Sequence, residues 1–180
     1  MICSMLFTLV AFLVAGYFVS VARGREAKIL LESVDNNTIY ELNQDILEKI
    51  SQLQAPIRVV AAIGSARVGK STTLNLISHI WSGKNENSAV EEIFKTGHSY
   101  GTVTRNVWAH IIKLDGDESI VLLDVEGTDL GDDRVTDRLS MFTAIMSSAL
   151  NLFTLNIVGN GDIDFLYRIA RLSNLVFENK

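Results

Sequence analysis

Apolar positions along this chain follow three rhythms. The first is an unbroken run from Met5 to Ala22, MLFTLVAFLVAGYFVSVA, eighteen residues without a charge. The second is helical. Leu42, Ile46, Ile50 and Leu53 in ELNQDILEKISQLQ share one face, and the stripe stops before Pro56. The stretches beginning at Lys70 (KSTTLNLI), Asp137 (DRLSMFTAIMSSAL) and Asp162 (DIDFLYRIARLSNLV) also predict helices, as does a shorter one in SAVEEIFKTG, closed by Gly97. The third rhythm belongs to strands. Lys28–Ser33 and Thr38–Leu42 flank a turn at Asp35–Asn37, and Asn106–Leu114 alternates before DGDES turns the chain back. Ile57–Ile63 (IRVVAAI) and Ile120–Val125 (IVLLDV) are apolar almost throughout, as expected of strands buried on both faces. NLFTLNIV, from Asn151, reads as a further strand.

Strands and helices in alternation predict an α/β domain with a mostly parallel sheet and helices on both faces. Ligands of such sheets bind beyond the carboxyl ends of the strands. Two polar stretches fall there: GSARVGKS after Ile63 and the DVEG segment beginning at Asp124.

Composition narrows the classes. A chain of 180 residues, 48% hydrophobic, suits one domain with a real core. Its net charge of −5 is spread along the sequence, so no nucleic-acid partner is implied. Cys3 is the single cysteine and cannot close an internal disulfide, and no Cys/His cluster has zinc spacing. His79, His98 and His110 are scattered and read as surface or packing residues.

The run Met5–Ala22 sets residues 1–27 apart as a membrane-targeting leader ahead of a domain at 28–180. At about 1.5 Å per residue it just spans a bilayer core of about 30 Å. As a signal anchor, it would be oriented by Arg23, Arg25 and Lys28, holding the domain in the cytosol. As a cleaved signal peptide, it would use the small-x-small site Ser20–Ala22 and send the domain into the secretory pathway. Both readings stay open, although the absence of Lys or Arg ahead of the run weighs against cleavage.

GSARVGKS matches G-x-x-x-x-G-K-[S/T], with Gly64, Gly69, Lys70 and Ser71 in place. Backbone N–H groups of such a loop form a nest for phosphate oxygens, and the following helix aims its positive end at the anion. Gly64, Ser65, Ala66, Arg67, Val68, Gly69, Lys70, Ser71 and Thr72 are therefore the predicted nucleotide cradle. Lys70 can reach the β- and γ-phosphates, and the Ser71 hydroxyl can ligate Mg²⁺. Asp124, at the tip of an apolar strand, suits a contact to the same cation. Asp124-x-x-Gly127 is the pattern by which a backbone N–H, here that of Gly127, senses a γ-phosphate.

GSARVGKS with its internal arginine, TRNVWAH and LLDVEGTDLGD, in that order and spacing, resemble the guanylate-binding-protein and atlastin family of large, dynamin-related GTPases. The resemblance implies a P-loop NTPase fold, GTP as substrate, Mg²⁺ as cofactor and a homodimer through the nucleotide face. It implies that Arg67 acts as an internal arginine finger, that Thr104 completes the Mg²⁺ shell, and that Thr102 and Glu126 organise the attacking water. Phosphoryl transfer is mainly positioning and charge stabilisation, so no nucleophile–base triad is needed, and none is seen.

Two substitutions depart from the family pattern, Val125 in DVEG where the family has Thr, and Val68 where it has Thr before the loop glycine. Both spare the atoms given roles above. The family reads guanine with an Arg-Asp pair on a later strand, which no segment here matches. The resemblance therefore implies a GTPase domain incomplete at its C-terminus. A GTP-binding scaffold with negligible turnover, or an inactive fragment, is the alternative to the enzyme. A P-loop ATPase or kinase lacks a recognisable lid or substrate site.

Overall fold

The computed structural model describes residues 26–34, 39–85, 87–96, 106–114, 117–126, 133–154 and 158–177. They form β1 (Lys28–Val34), β2 (Ile39–Leu42), α1 (Gln44–Ser51), β3 (Ile57–Gly64), α2 (Lys70–Trp81), β4 (Asn106–Lys113), β5 (Ser119–Val125), α3 (Asp133–Met146), β6 (Ala149–Phe153) and α4 (Asn160–Phe177). One six-stranded sheet runs β2-β1-β4-β5-β3-β6.

The α/β class holds, and helices cover both faces. The sheet, however, is mixed rather than mostly parallel. β3 pairs in parallel with β5 and β6, whereas β1–β2, β1–β4 and β4–β5 are antiparallel. For β1–β2 and β4–β5 the reason is connection length. A parallel pair needs a crossover of a dozen or more residues, and the four residues between β1 and β2 and five between β4 and β5 permit only hairpins.

Period-two alternation in the strands builds two cores. Ala61 and Ile63 of β3 and Val121, Leu123 and Val125 of β5 point to the face covered by Ile46 of α1, Leu139 of α3, and Phe165 and Ile169 of α4. Ala62, Ile120 and Leu122 point the other way, against Leu74 and Ile77 of α2. Every residue of β5 is buried, which is why its sequence is apolar throughout apart from Ser119 and Asp124.

Element ends depart from the periodic pattern where capping decides. Leu42 belongs to β2, and the Asn43 side chain accepts from the Ile46 N–H to start α1 there. α4 starts at Asn160, two residues before Asp162, whose carboxylate reaches back to the Gly159 N–H at 2.9 Å. The helix predicted in SAVEEIFKTG is absent among residues 87–96. The amide of Asn75, buried on α2, takes up that backbone instead. Its oxygen accepts from the Ile93 and Phe94 N–H groups, and its nitrogen donates to the Phe94 carbonyl. Among the described residues no helix is long and apolar enough to cross a membrane. The run Met5–Ala22 lies outside them.

Candidate phosphate-binding site

The loop between β3 and α2 is shaped by its neighbour strand. β6 runs beside β3, and the Phe153 carbonyl accepts from the Ser65 N–H at 3.1 Å. Gly64 sits at φ +121°, and a Cβ on it would lie 2.0 Å from that carbonyl oxygen. Only glycine satisfies both demands. Gly69, the residue before α2, has φ +90°. Arg67 also turns left-handed, with φ +61°, and its side chain is exposed. Left-handed backbone costs a residue with a Cβ about 1–2 kcal/mol.

Inside the loop Lys70 is 6% exposed. Its ammonium donates to the Gly64 carbonyl at 3.0 Å and to the Ser65 carbonyl at 2.5 Å, so the lysine bridges the loop from the helix side. One residue on, Ser71 Oγ donates to Asp124 Oδ2 at 2.6 Å. Asp124 is 6% exposed, and its second oxygen, Oδ1, is buried with no hydrogen-bond partner among the described residues. Burial pushes the Asp124 carboxyl up from 3.8 to about 6, against the opposing pull of the Ser71 hydroxyl and the Lys70 charge.

An orphaned carboxylate oxygen beside a hydroxyl is a hard-oxygen donor set, the kind Mg²⁺ takes. Among the described residues no three His, Cys, Asp or Glu side chains gather to hold a metal alone.

Glu126 follows β5 directly. Its N–H donates to the Asn106 carbonyl at 3.2 Å, and its Oε1 accepts from Trp108 Nε1 at 3.0 Å. Burial raises the Glu126 carboxyl above its ordinary value, and hydrogen bonds that the carboxylate accepts from the Trp108 indole and the Asn106 backbone pull it back down. Trp108 stands opposite Asp124 in the β4–β5 register.

The fold thus brings Gly64, Ser65, Ala66, Arg67, Val68, Gly69, Lys70, Ser71, Thr72, Asp124 and Glu126 to one end of the sheet, on the β3–α2 turn and the tip of β5. Thr102, Thr104 and Gly127 lie outside the described residues. Sequence reasoning gave no role to Trp108 or Phe153. The signal for Trp108 was present in the β4 alternation, but its partner follows only from strand register.

The family model for the guanylate-binding protein N-terminal domain matches residues 37–180. The chain belongs to the guanylate-binding protein family. It is similar to guanylate-binding protein 5 of Mus musculus, with 31% identity over 141 residues, 74% of this chain and 22% of the relative. Guanylate-binding protein 5 of Homo sapiens is 29% identical over 147 residues, 78% of this chain and 23% of that protein. Guanylate-binding protein 3 of Homo sapiens is 29% identical over 149 residues, with the same coverage. The chain therefore spans less than a quarter of the length of these relatives. The β3–α2 loop and the Asp124–Glu126 tip both lie within the matched region.

Proposed function

We propose that this chain binds GTP with Mg²⁺ and hydrolyses its γ-phosphate, as the GTPase domain of a membrane-associated protein whose nucleotide face forms a homodimer. The Ser71–Asp124 contact at 2.6 Å, beside the orphaned Asp124 Oδ1, carries the reading. It sets a hydroxyl and a carboxylate beside a loop whose sequence matches a phosphate-binding pattern.

Ser71, Asp124 through water, and Thr104 would hold the cation, which when bound neutralises charge on the β- and γ-oxygens. The chain's own residues do the rest. Lys70 exchanges the Gly64 and Ser65 carbonyls for phosphate oxygens. Loop N–H groups and the start of α2 cradle the same anion. Arg67 turns its fork onto the γ-phosphate to offset transition-state charge. Glu126, with Thr102, orients the attacking water, and Gly127 N–H senses the γ-phosphate. Guanine selectivity rests on the family. Membrane association rests on the Met5–Ala22 run read as an anchor, which leaves the domain in the cytosol, where GTP is plentiful.

Fluorescent GTP binding to the full chain with Mg²⁺, competed by GTP and then ATP, tests this reading, and release of inorganic phosphate tests turnover. GTP-selective binding with turnover is expected. Binding without turnover would leave the scaffold in place of the enzyme. No binding by a folded chain would overturn the assignment.

A further inference from the structure

A groove of about 290 Å³ opens beside α1, over the sheet face where Ala109 and Ile111 of β4 meet Ile46. Lys28, Lys49 and Lys113 line it, against one carboxylate, Glu26. None of the three lysines belongs to an ion pair among the described residues. In a chain of net charge −5, three lysines against one carboxylate are a local excess of positive charge over an apolar floor. Lysines so placed lay their stems on apolar surface and keep the ammonium in water.

The groove also lies where the chain enters the fold, because Glu26 and Lys28 both line it. Ala22, the last residue of the uncharged run, is four residues before Glu26. Four residues reach at most about 14 Å. With Met5–Ala22 seated in a bilayer, the groove is held within that reach of the headgroups, with Arg23 and Arg25 in between. Along β4 the lining extends from Ala109 to Lys113, away from the end where Asn106 and Trp108 meet Glu126. Lys113 stands opposite Ser119, five residues before Asp124 on β5 and thus about 17 Å from it along the strand.

We infer that this groove is the surface on which the domain meets anionic lipid headgroups, so that the bilayer lies against the α1 side and the phosphate loop points away from it. The inference rests on the membrane association proposed above. It adds a second, electrostatic contact to the leader, and it leaves the nucleotide face open to a second copy of the chain.

Partition of the full chain onto neutral phosphatidylcholine vesicles and onto vesicles containing phosphatidylserine tests it. Capture on neutral vesicles reports the leader, Arg23 and Arg25 add to the gain on anionic vesicles, and the part of that gain that depends on Lys28, Lys49 and Lys113 reports the groove. Each lysine near an anionic surface is worth about a fivefold change in partition, so three give on the order of a hundredfold. The triple variant Lys28→Gln, Lys49→Gln, Lys113→Gln is expected to lose this lysine share of the gain while keeping its neutral-vesicle binding. Arginine at the same three positions is expected to keep it, and Lys95→Gln, outside the groove, to change little. Salt should erase the wild-type gain.

A triple glutamine variant with an undiminished anionic gain would overturn the inference and leave the membrane reading standing. A lysine-dependent gain without capture on neutral vesicles would uphold the groove and overturn the leader. No capture on either vesicle would overturn both. A gain abolished by inorganic phosphate at a concentration where matching chloride has little effect would make the groove a soluble-anion site and overturn the lipid assignment.

Discussion

Ser71 and Asp124, 53 residues apart in sequence, meet through a hydrogen bond of 2.6 Å between Oγ and Oδ2. Neither strand nor loop produces this alone. β3 and β5 run in parallel with Ala62 opposite Asp124, so the turn after Gly64 brings the first residues of α2 over the tip of β5.

Burial makes Asp124 a stability cost in the service of binding. Its folded-state pKa of about 6 stands above the ordinary 3.8, so between these values the folded chain holds a proton that the unfolded chain has released. Stability from this group therefore rises as pH falls from above 6 toward 4, and is lost as pH rises through 6. At neutral pH the ionised carboxylate costs on the order of 1–3 kcal/mol. Asp124→Asn should raise the urea midpoint in EDTA above pH 6, with a difference that shrinks toward pH 4. The same variant should lose Mg²⁺-dependent nucleotide affinity, which titration of fluorescent GTP with and without Mg²⁺ will show.

Lys70→Ala removes the ammonium that bridges the loop through Gly64 and Ser65. Nucleotide affinity should fall by at least a hundredfold, about 2.7 kcal/mol. Equilibrium binding of fluorescent GTP measures this. Retained affinity would remove the phosphate-loop assignment.

Arg67 is exposed, so Arg67→Ala should leave nucleotide binding nearly intact. If the arginine serves the transition state, turnover should drop by about 10³-fold, the low end of the arginine-finger range. Single-turnover phosphate release separates the two effects, and an unchanged rate would return Arg67 to an ordinary loop charge.

Gly64→Ala should destabilise the domain by about 3 kcal/mol or more, because its Cβ would sit 2.0 Å from the Phe153 carbonyl, a backbone atom that cannot swing aside. Chemical denaturation is the measurement. A small loss would mean that β6 can shift at little cost.

Trp108→Phe keeps an aromatic body in the second core and deletes the N–H that holds Glu126 Oε1 at 3.0 Å. Turnover should fall about tenfold, or 1.4 kcal/mol in the barrier, with nucleotide affinity little changed. That hydrogen bond lowers the Glu126 pKa, so its loss should raise the pKa further and move the acid limb of the pH–rate profile to higher pH. A limb that stays in place would show that Glu126 does not depend on Trp108.

The β3–α2 loop was legible because its signals are contiguous. Glycines, lysine and hydroxyl follow one another between an apolar strand and a helix, and the turn they form is local. Helix stripes and buried strands were legible for the same reason. SAVEEIFKTG misled because its backbone is taken up by Asn75, a partner its own spacing does not reveal.

By itself the sequence determined the α/β class, the loop from Gly64 to Ser71, and the apolar β5 that carries Asp124. These follow from periodicity and from short-range backbone chemistry. The tertiary structure alone decided that the sheet is mixed, that Phe153 forbids a side chain at position 64, that Trp108 reaches Glu126, and that Lys28, Lys49 and Lys113 share one groove. Each is a contact between distant segments. Strand order and register fix such contacts, and a period-two pattern specifies which face a residue takes but not which neighbour it meets.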